Sequence, residues 1–281
     1  MNAPAIAYSP FWRVVTGVLV ALSRGSLLVM LVALLFFETP LENQLRLFRT
    51  FVALSLAPGT AAWLLARAFA ATVAVADGLL VIERRDRRIE IPCEAIAGVV
   101  PWMIPLPAGG LWIRLRSGRR FDDGLQVSDP IALAEALADA GAPEAVRTVA
   151  HHPAALYARS RFGAPRRWYH PLLAFVAFAL VPAVPLFRLH QWIAYGGTFG
   201  EYYTYGLQAY LLGFVIYWAT FAIYLVLYAA VLRAAAEIVV WLTARVAPEG
   251  VTRVREIVEK ARRILYFGGV PAFLLQVALS A

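Results

Sequence analysis

Apolar residues in this chain fall into long blocks toward both ends and into short alternating runs in the middle. Crossing a bilayer takes about 20 mostly apolar residues, and five blocks qualify as spans. They are residues 14–37, interrupted by Arg24; 51–71, with Pro58 and Gly59 inside; 172–187, with Pro182 and Pro185; 207–232, the longest and cleanest; and 264–279, with Gly268, Gly269 and Pro271. The third and fifth are short, which leaves them open to a tilted or re-entrant reading.

The pattern changes over residues 72–142. Residues 72–76 alternate, Asp77-Gly78 is a hairpin signal, and 79–84 is apolar and β-branched. Asp86 marks a second tight turn before 88–91, and 96–100 reads as a further strand. After a Pro- and Gly-rich loop at 105–110, Leu111, Ile113 and Leu115 fall on one face of a strand, with Trp112, Arg114 and Arg116 on the other. Ser117-Gly118 turns the chain into 119–122, and Asp122-Asp123 before Gly124 reads as turn chemistry. Asp129 is placed to cap a helix with Pro130 at its first position and an apolar stripe of Ile131, Leu133, Ala134 and Leu137. The expected core comprises Leu80, Ile82, Ile91, Ile113, Leu115 and Leu137. Several hairpins closed by one helix make a small α+β sheet or partial barrel.

Beyond 232 the fourth block runs on to 245 without a breaker. Ala234, Ala235, Ile238, Val239 and Leu242 keep one apolar stripe. After Pro248-Glu249-Gly250, Val254, Ile257, Val258 and Ala261 repeat it with arginines opposite. A basic amphipathic helix suits a membrane surface or a partner, and packing against the soluble module is the equal alternative.

Composition agrees with the blocks. Of 281 residues, 61% are hydrophobic and only 16% charged, with a mean hydropathy of +0.66. Soluble domains are nearer 45–50% apolar and about a quarter charged. The net charge is +8, almost all from arginine, Lys260 being the one lysine. Arginines near span ends set orientation and meet anionic headgroups, and no nucleic-acid motif accompanies them. Arg13 precedes the first span. Arg67, Arg84, Arg85, Arg87 and Arg88 follow the second. Arg159, Arg161, Arg166 and Arg167 precede the third, and Arg233, Arg245, Arg253, Arg255, Lys260, Arg262 and Arg263 precede the fifth. If every span crosses once, these share one side, which the positive-inside rule makes cytosolic. The N-terminal block carries no small-residue cleavage site and reads as a retained anchor. The expected location is a bacterial inner membrane, crossed several times.

Candidate chemistry is sparse. Cys93 is the one cysteine, which excludes an intrachain disulfide. His151, His152, His170 and His190 suit solvated loops better than a haem or metal site, so neither cofactor nor metal is expected. Trp192, Tyr195, Tyr202, Tyr203 and Tyr205 form an interfacial aromatic belt rather than a ligand cage. The spans themselves hold no carboxylate, which argues against ion coupling. Arg24 either snorkels to the cytosolic interface or serves a function inside the membrane.

Three segments carry a family resemblance: Val75-Ala76-Asp77-Gly78-Leu79-Leu80-Val81, then Ile89-Glu90-Ile91-Pro92-Cys93-Glu94-Ala95-Ile96, then Leu111-Trp112-Ile113-Arg114-Leu115-Arg116-Ser117-Gly118-Arg119. Their order resembles the bacterial pleckstrin-homology-like domains attached to membrane helices. The resemblance spans about 72–142 and implies a binding or scaffolding fold with no catalytic residue.

The expected organisation is therefore an α-helical polytopic membrane protein of about five transmembrane helices with an inserted pleckstrin-homology-like domain. Residues 1–71 form a two-span hairpin, 72–142 the cytosolic module, and 143–171 a basic connector. Residues 172–281 form three more spans with amphipathic cytosolic helices over 233–263. The expected function is a non-enzymatic accessory or scaffold subunit. Its contacts with lipid or with other inner-membrane subunits would run through Arg24, Arg159, Arg161, Arg166, Arg167, Arg253, Arg255, Arg262 and Arg263. A transporter or lipid-handling protein is the alternative, with the Pro- and Gly-broken spans as moving parts.

Overall fold

The chain begins with a strand. In the computed structural model, which describes residues 1–36, 44–162 and 170–280, Asn2–Tyr8 (β1) lies inside a sheet. The chain continues through α1 (Pro10–Phe36), α2 (Gln44–Phe51), a π-helical turn (Val52–Leu56) and α3 (Ala57–Ala68). Then come β2 (Ala70–Ala76), β3 (Leu79–Arg84), β4 (Arg88–Pro92), β5 (Ile96–Pro101), β6 (Leu111–Leu115) and β7 (Gly124–Val127). Helices α4 (Pro130–Asp139) and α5 (Pro153–Phe162) follow, separated by a 3-10 helix, Glu144–His151. The last part comprises α6 (His170–Leu172), a second π-helical turn (Leu173–Ala177), α7 (Leu180–Tyr195), α8 (Gly200–Val246) and α9 (Val251–Ser280). These elements fall into two compact units, one of residues 1–24, 56–165 and 236–257 and one of 25–55, 166–235 and 258–281.

The first unit holds a curled antiparallel sheet of seven strands in the order β4-β3-β2-β1-β7-β6-β5. Residues 1–71 were expected to form a two-span hairpin, with no strand foreseen before the first span; β1 pairs with β2 on one side, Asn2 opposite Ala74, and with β7 on the other, Ala5 opposite Val127. Its sequence, NAPAIAY, has little intrinsic β preference. What makes it a strand is pairing on both flanks, which no local pattern encodes. Pro4 is tolerated because β7 pairs only from Ala5 onward.

The strands predicted from alternation are otherwise present. Asp77 and Gly78 both take positive φ (52° and 72°), the geometry of the tight hairpin their pairing suggests. Leu80, Ile82, Ile91, Ile113 and Leu137 are buried as expected, whereas Leu115 is only partly buried. Residues 119–122 contribute just an isolated Arg114–Arg120 bridge, and the strand forms later, at Gly124–Val127. The Asp129 carboxylate accepts from the Ile131 and Ala132 N–H groups at 3.1 Å and starts α4, whose apolar stripe closes the core. A smaller cluster joins α5 to the ends of α8 and α9 within this unit through Tyr157, Val240, Ala244 and Val251.

The second unit is helical. Met30, Ile223 and Leu227 pack with Leu27, Leu47 and Phe51, while Ala179, Leu225 and Tyr266 pack with Phe178 and Trp218. Both π-helical turns free backbone carbonyls, and side chains from packed neighbours take them. Ser26 Oγ donates to the Leu54 carbonyl (3.0 Å), Trp218 Nε1 to Val176 (2.9 Å) and the Tyr266 hydroxyl to Ala174 (2.7 Å). In a bilayer such groups have no water to turn to, so internal satisfaction is required.

Among the described residues four helices are long and apolar enough to cross a membrane: Pro10–Phe36, Leu45–Ala68, His170–Tyr195 and Gly200–Val246. Many large apolar side chains on them face outward, Val29, Leu35, Leu64 and Leu212 among them. These coincide with the first four of the five expected spans. The fifth block, 264–279, belongs to α9, and its last side chains lie outside the described residues. The fourth block is helical from just after Gly206, where φ 87° breaks the helix, through to Val246.

Candidate functional site

Two joints connect the sheet to the first pair of apolar helices, and each is one residue long. Ser9 separates β1 from α1, and Phe69 separates α3 from β2. Pro10 opens α1 with its φ already set for a helix. Phe69 serves both sides of its joint, since its N–H donates to the Leu65 carbonyl and its own carbonyl accepts from the Ala7 N–H, each at 3.0 Å. Its ring lies 5.6 Å from Tyr8 and 5.7 Å from Trp12. Helix and strand therefore meet through packed aromatic rings rather than through a flexible tether.

Beside these joints the β5–β6 loop folds back over two tryptophans. The Trp102 N–H donates to the Gly110 carbonyl at 2.8 Å, and the Trp102 ring lies 6.0 Å from that of Trp112. Gly110 and Gly124 make room for the rings: a Cβ on Gly124 would sit 2.8 Å from Trp112 and 2.9 Å from Trp102, closer than carbon atoms approach. Trp112 was expected on the face opposite the core. It is buried there instead, in a second cluster with Tyr8 and Trp102, because the loop and the start of α1 cover that end of the sheet.

Two arginines bracket the tryptophans. The Arg13 guanidinium carbon lies 4.2 Å from the centroid of Trp102 and 5.7 Å from Trp112, and that of Arg120 lies 4.1 Å from Trp112. Arg13 also donates to the Ile104 carbonyl at 3.3 Å, which ties the loop to α1. The acid at this corner, Asp123, is engaged by Arg84 at 3.1 Å, and both side chains are nearly buried. That pairing, rather than turn chemistry alone, explains Asp123. Arg13 and Arg120 themselves make no ion pair among the described residues. Nε of Arg13 and Nε1 of Trp102 are enclosed with no acceptor among the described residues. The corner is thus rich in donors and positive charge. Next to it, Met103 is 81% and Ile104 60% exposed, and Phe11, Trp12 and Val14 on α1 are exposed too.

The arginines singled out from the sequence are scattered. Arg159 lies 3.4 Å from Asp129, and Arg161 is half-buried on the same helix. Arg253 and Arg263 are exposed on α9, and Arg24 is exposed on α1. Arg262 chelates Glu259 with bonds of 3.0 and 2.8 Å. Arg255 departs most from expectation. It is 4% exposed and donates to Glu237 at 2.8 Å, while the Tyr157 hydroxyl donates to the same carboxylate oxygen at 2.7 Å. A guanidinium enclosed in that way clamps helices together and does not reach lipid. Arg166 and Arg167 lie outside the described residues.

The sequence pattern uses Arg13 only for orientation, sets Trp112 on the outer face of its strand, and singles out neither Arg120 nor Trp102. The signal that could have found them is a pair of tryptophans flanking Gly109-Gly110 with Gly124 close behind. Among the described residues no three histidine, cysteine or acidic side chains gather as a metal would require. Comparison with known proteins gives no match to this chain, whether among family models, curated proteins or solved structures.

Proposed function

We propose that this chain is a non-enzymatic accessory or assembly subunit of a bacterial inner-membrane complex. A pleckstrin-homology-like module, held on the cytosolic face, presents a surface to a partner protein or to anionic lipid. The observation that carries the reading is the joint: paired strands β1 and β2 are connected by two membrane-length helices, with one residue at each junction. A module attached in that way is tied to the membrane at two points of its sheet, which suits a platform. The seven-strand order with a closing helix supports the pleckstrin-homology-like assignment, and the arginine asymmetry supports the cytosolic side.

Extraction of native membranes in mild detergent tests the proposal. The chain should migrate in a complex of fixed composition, and Ile113→Asp, which disrupts the sheet, should release it. A chain that runs alone and moves lipid or solute in reconstituted vesicles would replace this reading with the transporter or lipid-handling one. That second reading draws on an apolar groove of about 380 Å³ in the helical unit, lined by Pro182, Phe221, Tyr224, Tyr228, Gly269 and Leu274.

A further inference from the structure

We infer that the β5–β6 loop and the first two turns of α1 form a surface that enters the membrane interface, where Arg13 and Arg120 hold the phosphate of an anionic lipid. The inference rests on the reading above, that α1 is a membrane span, and adds to it a lipid site and the residues that make it.

Four observations converge. The loop runs along α1: Arg13 donates to the Ile104 carbonyl, and Gly17 lies beside Leu106, where a Cβ would stand in ordinary contact at 3.8 Å. The loop turns two large apolar side chains outward, Met103 and Ile104, beside a helix face that is itself apolar and exposed through Phe11, Val14 and Val18. In water such a patch is costly; continuous with a span, it reaches the boundary between headgroups and acyl chains. Just behind it sit two guanidiniums stacked on Trp102 and Trp112, a ring type suited to interfacial depth. Among the described residues neither guanidinium pairs with a carboxylate, and arginine forks onto phosphate oxygens better than any other side chain. Charge complementarity therefore specifies a phosphate, and the apolar rim places that phosphate on a lipid.

Stacking also fixes the arginines. An unstacked arginine gives up much rotamer freedom on binding an anion, whereas Arg13 is already held by a ring and a carbonyl. The glycines that admit the rings, Gly110 and Gly124, serve the same end.

The test is depth measurement by spin-label collision on the full chain in vesicles, in a Cys93→Ala background. Labels are placed singly at Met103, Ile104, Val29 and Gly118. In phosphatidylcholine vesicles containing phosphatidylglycerol, labels at 103 and 104 should collide with oxygen in preference to a water-soluble nickel complex, and the label at 118 should do the reverse. Removing phosphatidylglycerol should move the label at 104 outward in the parent protein. With Arg13→Gln and Arg120→Gln together, that dependence on phosphatidylglycerol should be lost. A buried label at 29 with 103 and 104 in water would overturn this inference and leave the anchoring intact. A label at 29 in water would overturn the anchoring itself. If inorganic phosphate added to phosphatidylcholine vesicles draws the label inward as phosphatidylglycerol does, the arginines serve a soluble phosphate and the lipid assignment fails.

Discussion

Ala5 stands opposite Ala71 in adjacent strands of one sheet, although the chain between them carries two helices long enough to cross a membrane. The sheet is therefore closed by a pairing that spans more than 60 positions of sequence, a non-local contact.

The role of β1 can be checked with Ala7→Asp. Ala7 is fully buried, opposite Leu125 of β7 and hydrogen-bonded through its N–H to Phe69, so a carboxylate there has neither water nor a partner. A loss of about 3 kcal/mol or more is expected, read as earlier unfolding in detergent by pulse proteolysis. Asn2→Asp, at the exposed end of the same strand, should leave the transition in place.

Core depth along β6 gives a second expectation. Ile113 is fully buried, and Leu115 only partly. Ile113→Ala should cost about 3 kcal/mol and Leu115→Ala about 1 kcal/mol. Equal costs would mean that the strand is shifted by a turn or twisted out of its assigned register.

Much of the module was legible because its signals are local. Asp77-Gly78 makes its turn, Asp129 its cap, and Leu80, Ile82 and Ile113 their alternation, each within a few residues. What escaped is non-local. Strand β1 takes its structure from partners more than 60 positions away, as Asn2 opposite Ala74 illustrates. Trp112 looks solvent-facing by alternation and becomes buried because α1 and the β5–β6 loop fold over it. Arg255 sits on a basic helix face by spacing, and only the approach of Tyr157 and Glu237 turns it inward.

That buried triad sets a third expectation. Glu237→Ala removes the carboxylate that Arg255 and Tyr157 share, and should cost toward the lower end of the about 3–5 kcal/mol typical of a broken buried pair, since Glu237 keeps some solvent contact. Hydrogen exchange in α5 should rise first. Burial, and then the bond to Glu237, push the Tyr157 phenol above its ordinary pKa. The neutral phenol is the form that folding favours, so this contribution is complete below about pH 10 and is lost as pH rises through the elevated value.

His152 supplies a pH dependence of the opposite sign. Its Nδ1 accepts from the Ala154 N–H at 3.2 Å at the start of α5, which requires a neutral ring, and desolvation lowers its pKa. The contribution is present above about pH 6.5 and falls away as pH drops through the lowered value. His152→Asn should keep the cap and remove the pH dependence, while His152→Ala should lose up to about 1 kcal/mol at neutral pH. Thermal unfolding between acid and neutral pH would separate the three proteins.

In the proposed topology a hairpin that crosses the membrane is inserted between two strands of a module that stays on one side. Labelling single cysteines in intact cells with an impermeant maleimide tests it most directly, with Cys93 replaced by alanine and cysteines placed at Asn2, Glu42 or Ser117. Glu42→Cys should label in intact cells, and Asn2→Cys and Ser117→Cys only after lysis. Labelling of Asn2→Cys and Ser117→Cys from opposite sides, or of Glu42→Cys on the same side as both, would contradict it.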